Sequence, residues 1–119
     1  MTGGETMDCL FCEIAHGRVP AEIIHEDEYC VAFNDINPQA PVHFLVVPKH
    51  HIPSIADITE ADQRILGHVL KIIAILANDK GLNENGYRVV SNVGRDAQQT
   101  VPHLHFHILG GRSMNWPPG

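Results

Sequence analysis

A chain of 119 residues, 44% of them hydrophobic and 18% charged, is long enough to form one folded domain around a core without disulfide bonds. Its formal net charge of −6 argues against a nucleic-acid partner, because proteins that bind nucleic-acid backbones normally present a basic face. No apolar run approaches the roughly 20 residues of a membrane helix, so we expect no membrane partner.

The N-terminal residues 1–7 combine neither a basic start nor an apolar core, and we expect a flexible tail there rather than a secretory signal. We expect residues 8–119 to form a single domain. Three cysteines cannot all pair within one chain, and nothing in the sequence indicates export. These features favour a reducing, cytoplasmic location.

Two helices are predicted. Residues 9–16 form a short one, which Gly17 ends. The long helix begins near Thr59 and Asp62, which have the spacing of a capping box, and it ends at Gly81. Between these points apolar residues recur at the 3.6-residue spacing of a helix with one buried face.

Five segments carry strand patterns, and the first two are predicted to form a hairpin around an acidic turn. The order is helix, three strands, long helix, two strands. Consecutive strands joined by hairpins favour an antiparallel five-stranded sheet covered by a helix, which is an α+β domain. The predicted strands cover residues 22–25, 29–34, 42–48, 87–92 and 103–109.

Nine histidines are an unusual number for a chain of this length. We interpret His16, His25 and His68 as scattered surface residues. The other histidines fall in two tight groups, with His43 apart from both. One group is the segment 103–107, in which histidine alternates with an apolar residue.

Residues two apart on a strand share one face, so His103, His105 and His107 are expected to line one side while the residues between them enter the core. Strand propensity would favour Val, Ile or Thr at these positions, so three imidazoles indicate a chemical role. Two roles remain open at this point. The rings could chelate a catalytic metal, or one ring could act as a nucleophile whose second nitrogen is oriented by a neighbour.

Residues 103–109 resemble the signature of the histidine triad (HIT) family of nucleotide hydrolases and transferases, in which histidine alternates with apolar residues. The similarity covers nearly the whole chain, including residues 33–41, 43–49 and the Trp-Pro-Pro-Gly end at 116–119. It is greatest to the Hint branch, the adenosine 5′-phosphoramidases. This resemblance implies a HIT fold and a two-fold homodimer across which the sheet continues.

The resemblance also implies a set of catalytic residues. His105 would attack the α-phosphate of a nucleoside phosphoramidate, an amine would leave, and water would release the mononucleotide from the histidine. His107 would hold the phosphate oxygens, and His43 corresponds to a fourth active-site histidine. Thr100 places a hydroxyl near the leaving group, where similar proteins often have Ser, and His103 completes the predicted catalytic set.

The same resemblance implies a site for a purine nucleotide of the AMP or GMP type. Asp35 stands where the family's carboxylate binds the ribose hydroxyls, although a turn-forming role fits the local sequence equally well. In a dimer, Trp116 would approach the partner's site. The other residues predicted to bind the nucleotide, with His105 and His107, are Leu10, Phe11, Ile14, Phe33, Asn34, Ile36, Asn92, Gln99 and Thr100.

Cys9 and Cys12 have the spacing of zinc ligands, and His51 and His103 could complete a tetrahedral site. Bacterial relatives with a similar Cys-x-x-Cys bind a structural zinc in this manner. Four protein ligands would leave no open position for water, so the metal would be structural rather than catalytic. A reduced, metal-free pair of cysteines is the alternative.

The predicted activity is hydrolysis of the phosphorus–nitrogen bond of adenosine phosphoramidates, with no cofactor required for the chemistry. One alternative is a nucleotide-binding regulatory or interaction module with little turnover. Another is a metal-dependent hydrolase that uses the triad as ligands. That alternative requires an open metal site, and no carboxylate accompanies the histidines on their strand.

Overall fold

The computed structural model describes residues 9–119, so the predicted flexible tail at 1–7 lies outside the described residues. The elements occur in the predicted order of short helix, three strands, long helix and two strands. Their bounds are α1 Leu10–Ala15, β1 Ile23–Glu26, β2 Cys30–Asn34, β3 Val42–Pro48, α2 Gln63–Asp79, β4 Tyr87–Val90 and β5 Phe106–Gly110.

The five strands form one antiparallel sheet in the order β1-β2-β3-β5-β4. Strand β5 therefore lies between β3 and β4, although it is the last strand in the chain. Its pairing with β3 places His107 opposite Leu45 and Leu109 opposite His43. The register thus brings the end of the triad segment beside the strand that carries the fourth histidine.

Both faces of the sheet are covered, because β3 alternates its side chains between two hydrophobic clusters. Phe44 and Val46 pack on one face beneath the long helix α2. Leu45 and Val47 pack on the other face with Phe11 of the short helix α1. A strand buried on both sides reads as a nearly continuous apolar run, which is what residues 42–48 show.

The capping box is confirmed, because the backbone N–H of Thr59 donates to the carboxylate of the buried Asp62 at 2.9 Å. It caps a short 3-10 turn at Glu60–Asp62, and the α-helix itself begins at Gln63. Gly81 follows the helix end with φ of 76°, a backbone conformation that favours glycine. Among residues 9–119, no helix combines the length and apolar character that a membrane crossing needs.

Strand β5 begins at Phe106, so the prediction that it starts at residue 103 was wrong. The preceding backbone makes other bonds: His103 N–H donates to the carbonyl of Val101, and Leu104 N–H donates to the carbonyl of Ile52. These contacts tie the segment to loops instead of to the neighbouring strands. The prediction for β4 was also too long, since the strand ends at Val90 rather than at residue 92.

His25 and His68 are not scattered surface residues, as the sequence had suggested. Their Nε2 atoms each lie 2.7 Å from Oδ2 of Asp27. The other carboxylate oxygen accepts the backbone N–H groups of Tyr29 and Cys30 at 2.7 and 2.9 Å. Burial raises the pKa of Asp27, but these four hydrogen bonds outweigh it and hold the pKa below its usual range. The cluster fastens the β1–β2 turn to α2.

Candidate active site and metal centre

The tautomer of His105 is determined by one hydrogen bond. Nδ1 of His105 lies 2.7 Å from the backbone carbonyl oxygen of His103. A carbonyl can only accept, so Nδ1 carries the hydrogen and Nε2 of the neutral ring keeps its lone pair. Burial lowers the pKa of His105, which favours this neutral form near physiological pH. The ring therefore has the protonation state that a nucleophile needs.

A second chain of hydrogen bonds fixes His43 and His107. The backbone N–H of Gln39 donates to Nδ1 of His43 at 3.0 Å, so the hydrogen of the neutral His43 ring is on Nε2. That atom lies 2.9 Å from Nδ1 of His107, which must therefore accept. His107 is left with its own hydrogen on Nε2, as a donor. Burial lowers the pKa of His107 to about 4, assisted by the neighbouring His105 and His43.

An apolar cleft of about 400 Å³ adjoins these histidines. Phe11 forms part of its wall and also packs against His105 edge to face, with ring centroids 4.8 Å apart. Its polar lining is confined to Asn34, Asp35 and Thr100. The lining residues that the sequence analysis had named are Leu10, Phe11, Ile14, Phe33, Asn34, Asp35, Ile36 and Thr100.

Asp35 makes both kinds of contact that its sequence context allows. Oδ1 accepts the backbone N–H of Asn37 at 2.8 Å, which is the turn-forming interaction. Oδ2 lies 3.4 Å from Nε2 of His43 and 4.0 Å from Nδ1 of His107. One carboxylate oxygen thus holds the loop, and the other lies at the junction of the cleft with the histidines.

Four side chains that could ligate a metal meet next to His105. Cys9 caps the start of α1 and Cys12 lies within it, while His51 follows β3 and His103 precedes β5. The ligand atoms of these four residues all lie within 4.8 Å of one another. Nδ1 of His103 is 3.1 Å from Sγ of Cys9, 3.2 Å from Sγ of Cys12 and 3.1 Å from Nδ1 of His51. The spacing of the cysteines along the sequence therefore does reflect a spatial cluster.

These four residues fit a metal ion. Nε2 of His103 donates to the carbonyl of Pro48 at 2.8 Å, so Nδ1 turns an unprotonated lone pair towards the cysteines. Burial lowers the pKa of His103 to about 4 and keeps the ring neutral. Burial also raises the pKa of the Cys12 thiol, with Cys9 adding to the effect, so a cation is the partner that would stabilise the thiolate.

Comparison with known proteins identifies the family. A family model described as "Scavenger mRNA decapping enzyme C-term binding" matches residues 8–116. An uncharacterized HIT-like protein of Synechococcus elongatus is 49% identical over 112 residues, which are 94% of this chain and 97% of that protein. The chain belongs to the histidine triad family.

Solved HIT structures share its fold. The HIT family hydrolase from Legionella pneumophila is 50% identical with a TM-score of 0.91, and the match covers 93% of this chain and 99% of that one. The histidine triad nucleotide-binding protein from Candida albicans is 33% identical with a TM-score of 0.79, covering 93% and 84% of the two chains. The predicted α+β HIT fold is therefore confirmed.

The three histidines of the triad do not converge on one point in this HIT protein. Both ring nitrogens of His103 are engaged away from the cleft, by the cysteine cluster and by Pro48. His107 contacts His43, while Nδ1 of His105 is held by a carbonyl. Because the ring nitrogens have these different partners, the arrangement argues against a metal-dependent hydrolase that would use all three histidines as ligands of one ion.

Some predicted nucleotide-binding residues lie away from the cleft within a single HIT chain. Asn92 and Trp116 line a separate groove along β4, and the Trp116 side chain is 81% exposed. The Gln99 side chain is occupied by the backbone, since Nε2 donates to the carbonyl of Pro53 at 2.7 Å and Oε1 accepts the N–H of Gly94 at 3.0 Å. Gln99 thereby closes the loop that precedes Thr100.

The sequence analysis missed several contributors to the site. Leu45 could have been found, because it lies two residues after His43 on a strand and therefore shares its face. Ser91 donates its hydroxyl to the carbonyl of His105 at 2.8 Å, a contact between distant residues that no local pattern indicates. The remaining lining residues that were not predicted are Val19, Pro20, Ala21 and Val101.

Proposed function

We propose that this HIT protein hydrolyses the phosphorus–nitrogen bond of adenosine 5′-phosphoramidates, in which AMP is joined to an amine such as a lysine side chain. The observation that carries the proposal is the hydrogen bond from His105 Nδ1 to a carbonyl, which leaves Nε2 unprotonated beside an apolar cleft. The printed descriptions of the Legionella hydrolase and the Candida nucleotide-binding protein agree with a hydrolase that binds a nucleotide.

In the first step, the lone pair of His105 Nε2 attacks the α-phosphorus and the bond from phosphorus to the amine nitrogen breaks. The departing nitrogen keeps the bonding electron pair and takes a proton from solvent, relayed by the hydroxyl of Thr100. The product on the enzyme is a nucleotidyl-histidine. His107 donates its Nε2 hydrogen to a phosphate oxygen, where negative charge accumulates as the bond to His105 forms.

In the second step, a water molecule attacks the same phosphorus and loses a proton to solvent. The bond between phosphorus and Nε2 breaks, and its electron pair returns to His105. The products are a nucleoside monophosphate and the original neutral imidazole. The two steps together consume one water and release one amine, so His105 is regenerated and no cofactor is consumed.

The cleft provides the binding site in this proposal. Its apolar walls, including Phe11 and Phe33, would enclose a purine base, since a flat ring gains most from apolar and aromatic surfaces. Asp35 would accept hydrogen bonds from the ribose hydroxyls at one end. Thr100 lies at the phosphate end. Such a site accepts AMP, and the side chains that line its walls include no group that would exclude GMP.

We propose that the cluster of Cys9, Cys12, His51 and His103 binds a structural Zn²⁺. Two thiolates and two imidazoles are a ligand set typical of closed zinc sites. The ion would hold α1 against the sheet and would fix the start of the triad segment. The reaction steps do not pass through it.

We further propose a two-fold homodimer in which the sheet continues across the subunit interface. Strand β4 pairs only with β5 among the described residues, so its outer edge is available to a second copy. The groove that contains Trp116 runs along the same strand. In such a dimer, Trp116 would approach the partner's cleft.

Mass spectrometry of protein quenched during turnover tests the function directly. With an adenosine phosphoramidate as substrate, we expect a covalent AMP adduct on His105 and release of the free amine. His105→Gln should show neither. Tight AMP binding without adduct or amine would instead support a nucleotide-binding module with little turnover, and would contradict the proposed hydrolase.

A further inference from the structure

His103 connects the metal cluster with His105. Its Nδ1 atom lies in the cysteine cluster, 3.1 Å from Sγ of Cys9, and its Nε2 atom donates to the carbonyl of Pro48. Its own carbonyl oxygen accepts the Nδ1 hydrogen of His105 at 2.7 Å. One fully buried residue therefore joins the metal ligands to the atom that fixes the tautomer of His105.

The backbone at this point has few other restraints. His103 lies outside strand β5, so no ladder of strand hydrogen bonds holds its carbonyl. Its N–H bonds only to Val101, two residues earlier. The peptide group of that carbonyl is also held by the N–H of Leu104, which donates to the carbonyl of Ile52, the residue after His51. The direction of the carbonyl therefore depends on this bond and on the side-chain contacts of His103, and both lead to the metal cluster. Of these contacts, the bonds to a metal would be by far the strongest.

Helix α1 provides a second connection between the cluster and the cleft. It has six residues, too few to be stable without tertiary contacts, and Cys9 and Cys12 anchor its first turn. Phe11 lies between those cysteines in sequence, and its ring packs against the rings of both His105 and His103. Movement of the cysteines would therefore also move the wall of the cleft.

We infer that metal bound by Cys9, Cys12, His51 and His103 controls the competence of the nucleophile, with His103 as the positioning residue that transmits metal binding to His105. This inference rests on the proposed function only in taking His105 as the nucleophile. Loss of the metal releases the His103 carbonyl, so the His105 ring exchanges between its two neutral tautomers. Only part of the protein then has an unprotonated Nε2 that points at the substrate, which lowers kcat. Displacement of Phe11 raises KM.

The test compares the full-length protein loaded with Zn²⁺ with the same protein stripped by a chelator. The ¹⁵N NMR shifts of the imidazole nitrogens report the tautomer of His105 without any substrate. The His105 signals are assigned by their absence from the spectrum of His105→Gln. We expect His105 to show one protonated Nδ1 and one unprotonated Nε2 in the loaded protein. In the stripped protein both shifts should move towards a common average, kcat should fall about 10-fold, and returning Zn²⁺ should restore both.

Cys30→Ser is the matched control, because Cys30 is also a buried free cysteine but contacts Asp27 rather than the cluster. It should respond to stripping and reloading as the parent protein does. A stripped protein that remains folded and keeps the loaded ¹⁵N pattern of His105 would overturn the inference. If the phosphoramidase assay fails while the pattern still follows Zn²⁺, the proposed function is wrong and the coupling stands.

If removal of the metal unfolds the chain, a pair of variants tests the coupling between the metal and His105 instead. His103→Cys keeps four metal ligands, in a combination that zinc accepts, whereas His103→Ala keeps three. With Zn²⁺ present, the ¹⁵N pattern of His105 should be retained in His103→Cys and lost in His103→Ala. Identical patterns in the two variants, or loss of the pattern in a folded, zinc-bound His103→Cys, would overturn the inference.

Discussion

Nε2 of His43 donates its hydrogen to Nδ1 of His107 across 2.9 Å, and this direction follows from the backbone N–H that occupies the other nitrogen of His43. The neutral His107 ring therefore carries its hydrogen on Nε2. In the proposed reaction this N–H donates to a phosphate oxygen. The backbone N–H of Gln39 thus determines, through the hydrogen bond between the two imidazoles, which nitrogen of His107 carries the hydrogen. In the proposed reaction His43 is therefore a positioning residue.

Replacing His43 should therefore reduce catalysis without removing the nucleophile. We expect His43→Phe to lower kcat by about 10- to 100-fold, because His107 loses the partner that fixes its tautomer. AMP binding should change far less. Steady-state kinetics with a fluorogenic adenosine phosphoramidate, together with calorimetric binding of AMP, will separate the two effects. An unchanged kcat in a folded His43→Phe would refute the role assigned to this pair.

Loss of the His105 ring should be far more damaging. His105→Gln should reduce kcat/KM by about 10³-fold or more, since no other group provides an attacking lone pair. His16→Ala is a suitable control, because His16 is an exposed histidine that does not line the cleft, and it should retain parental activity. Circular dichroism should confirm that both variants fold. Substantial turnover by His105→Gln would exclude the nucleotidyl-histidine mechanism.

The dependence of activity on pH should reflect the buried histidines. His43, His105 and His107 must be neutral for the proposed hydrogen bonds, and burial lowers the pKa of each of them, that of His107 to about 4. A lowered pKa means that protonation, and with it loss of activity, begins only at more acidic pH. We therefore expect the acidic limb of kcat/KM to lie below about 6.5, the usual pKa of histidine. A limb centred at or above that value would contradict the assignment.

Metal analysis provides an independent prediction. The protein purified without chelators should contain about one zinc per chain, and Cys12→Ser should contain much less, because it removes one ligand of the cluster. Cys30→Ser should match the parent protein. Absence of stoichiometric zinc from the parent protein would reject the structural zinc site.

The sequence predicted those features that depend on local patterns. Helical periodicity, the Thr59–Asp62 capping box and the glycine at the helix end are properties of neighbouring residues, and the structure confirms each of them. The cysteine spacing likewise indicated a metal cluster. The completion of that cluster by His51 and His103 came from the family resemblance as well as from residue type, since these residues are 52 positions apart.

Contacts between distant residues explain what the sequence did not predict. The start of β5 depends on Leu104 bonding to Ile52, a loop residue that strand propensity does not consider. Gln99 was predicted to bind the nucleotide, and nothing in the sequence indicated that its amide would bond to the backbone at Pro53 and Gly94. In both cases the alternative hydrogen-bond partner is created by the fold, so no window of sequence contains it.

The Asp27 cluster, which no sequence pattern indicated, leads to a prediction about stability. Hydrogen bonds from His25, His68 and two backbone groups hold the pKa of Asp27 below its unfolded value. A lowered carboxyl pKa stabilises the folded state at any pH above the unfolded value of about 4, and this contribution disappears as the pH falls further.

Asp27→Asn should therefore lower the free energy of unfolding by about 2 kcal/mol at neutral pH, and by less at pH of about 3. Urea unfolding at both pH values measures the difference. Asp96→Asn, in an exposed pair with Arg95, should change the stability little at either pH. An equal loss in the two variants would contradict the stabilising role of the Asp27 cluster.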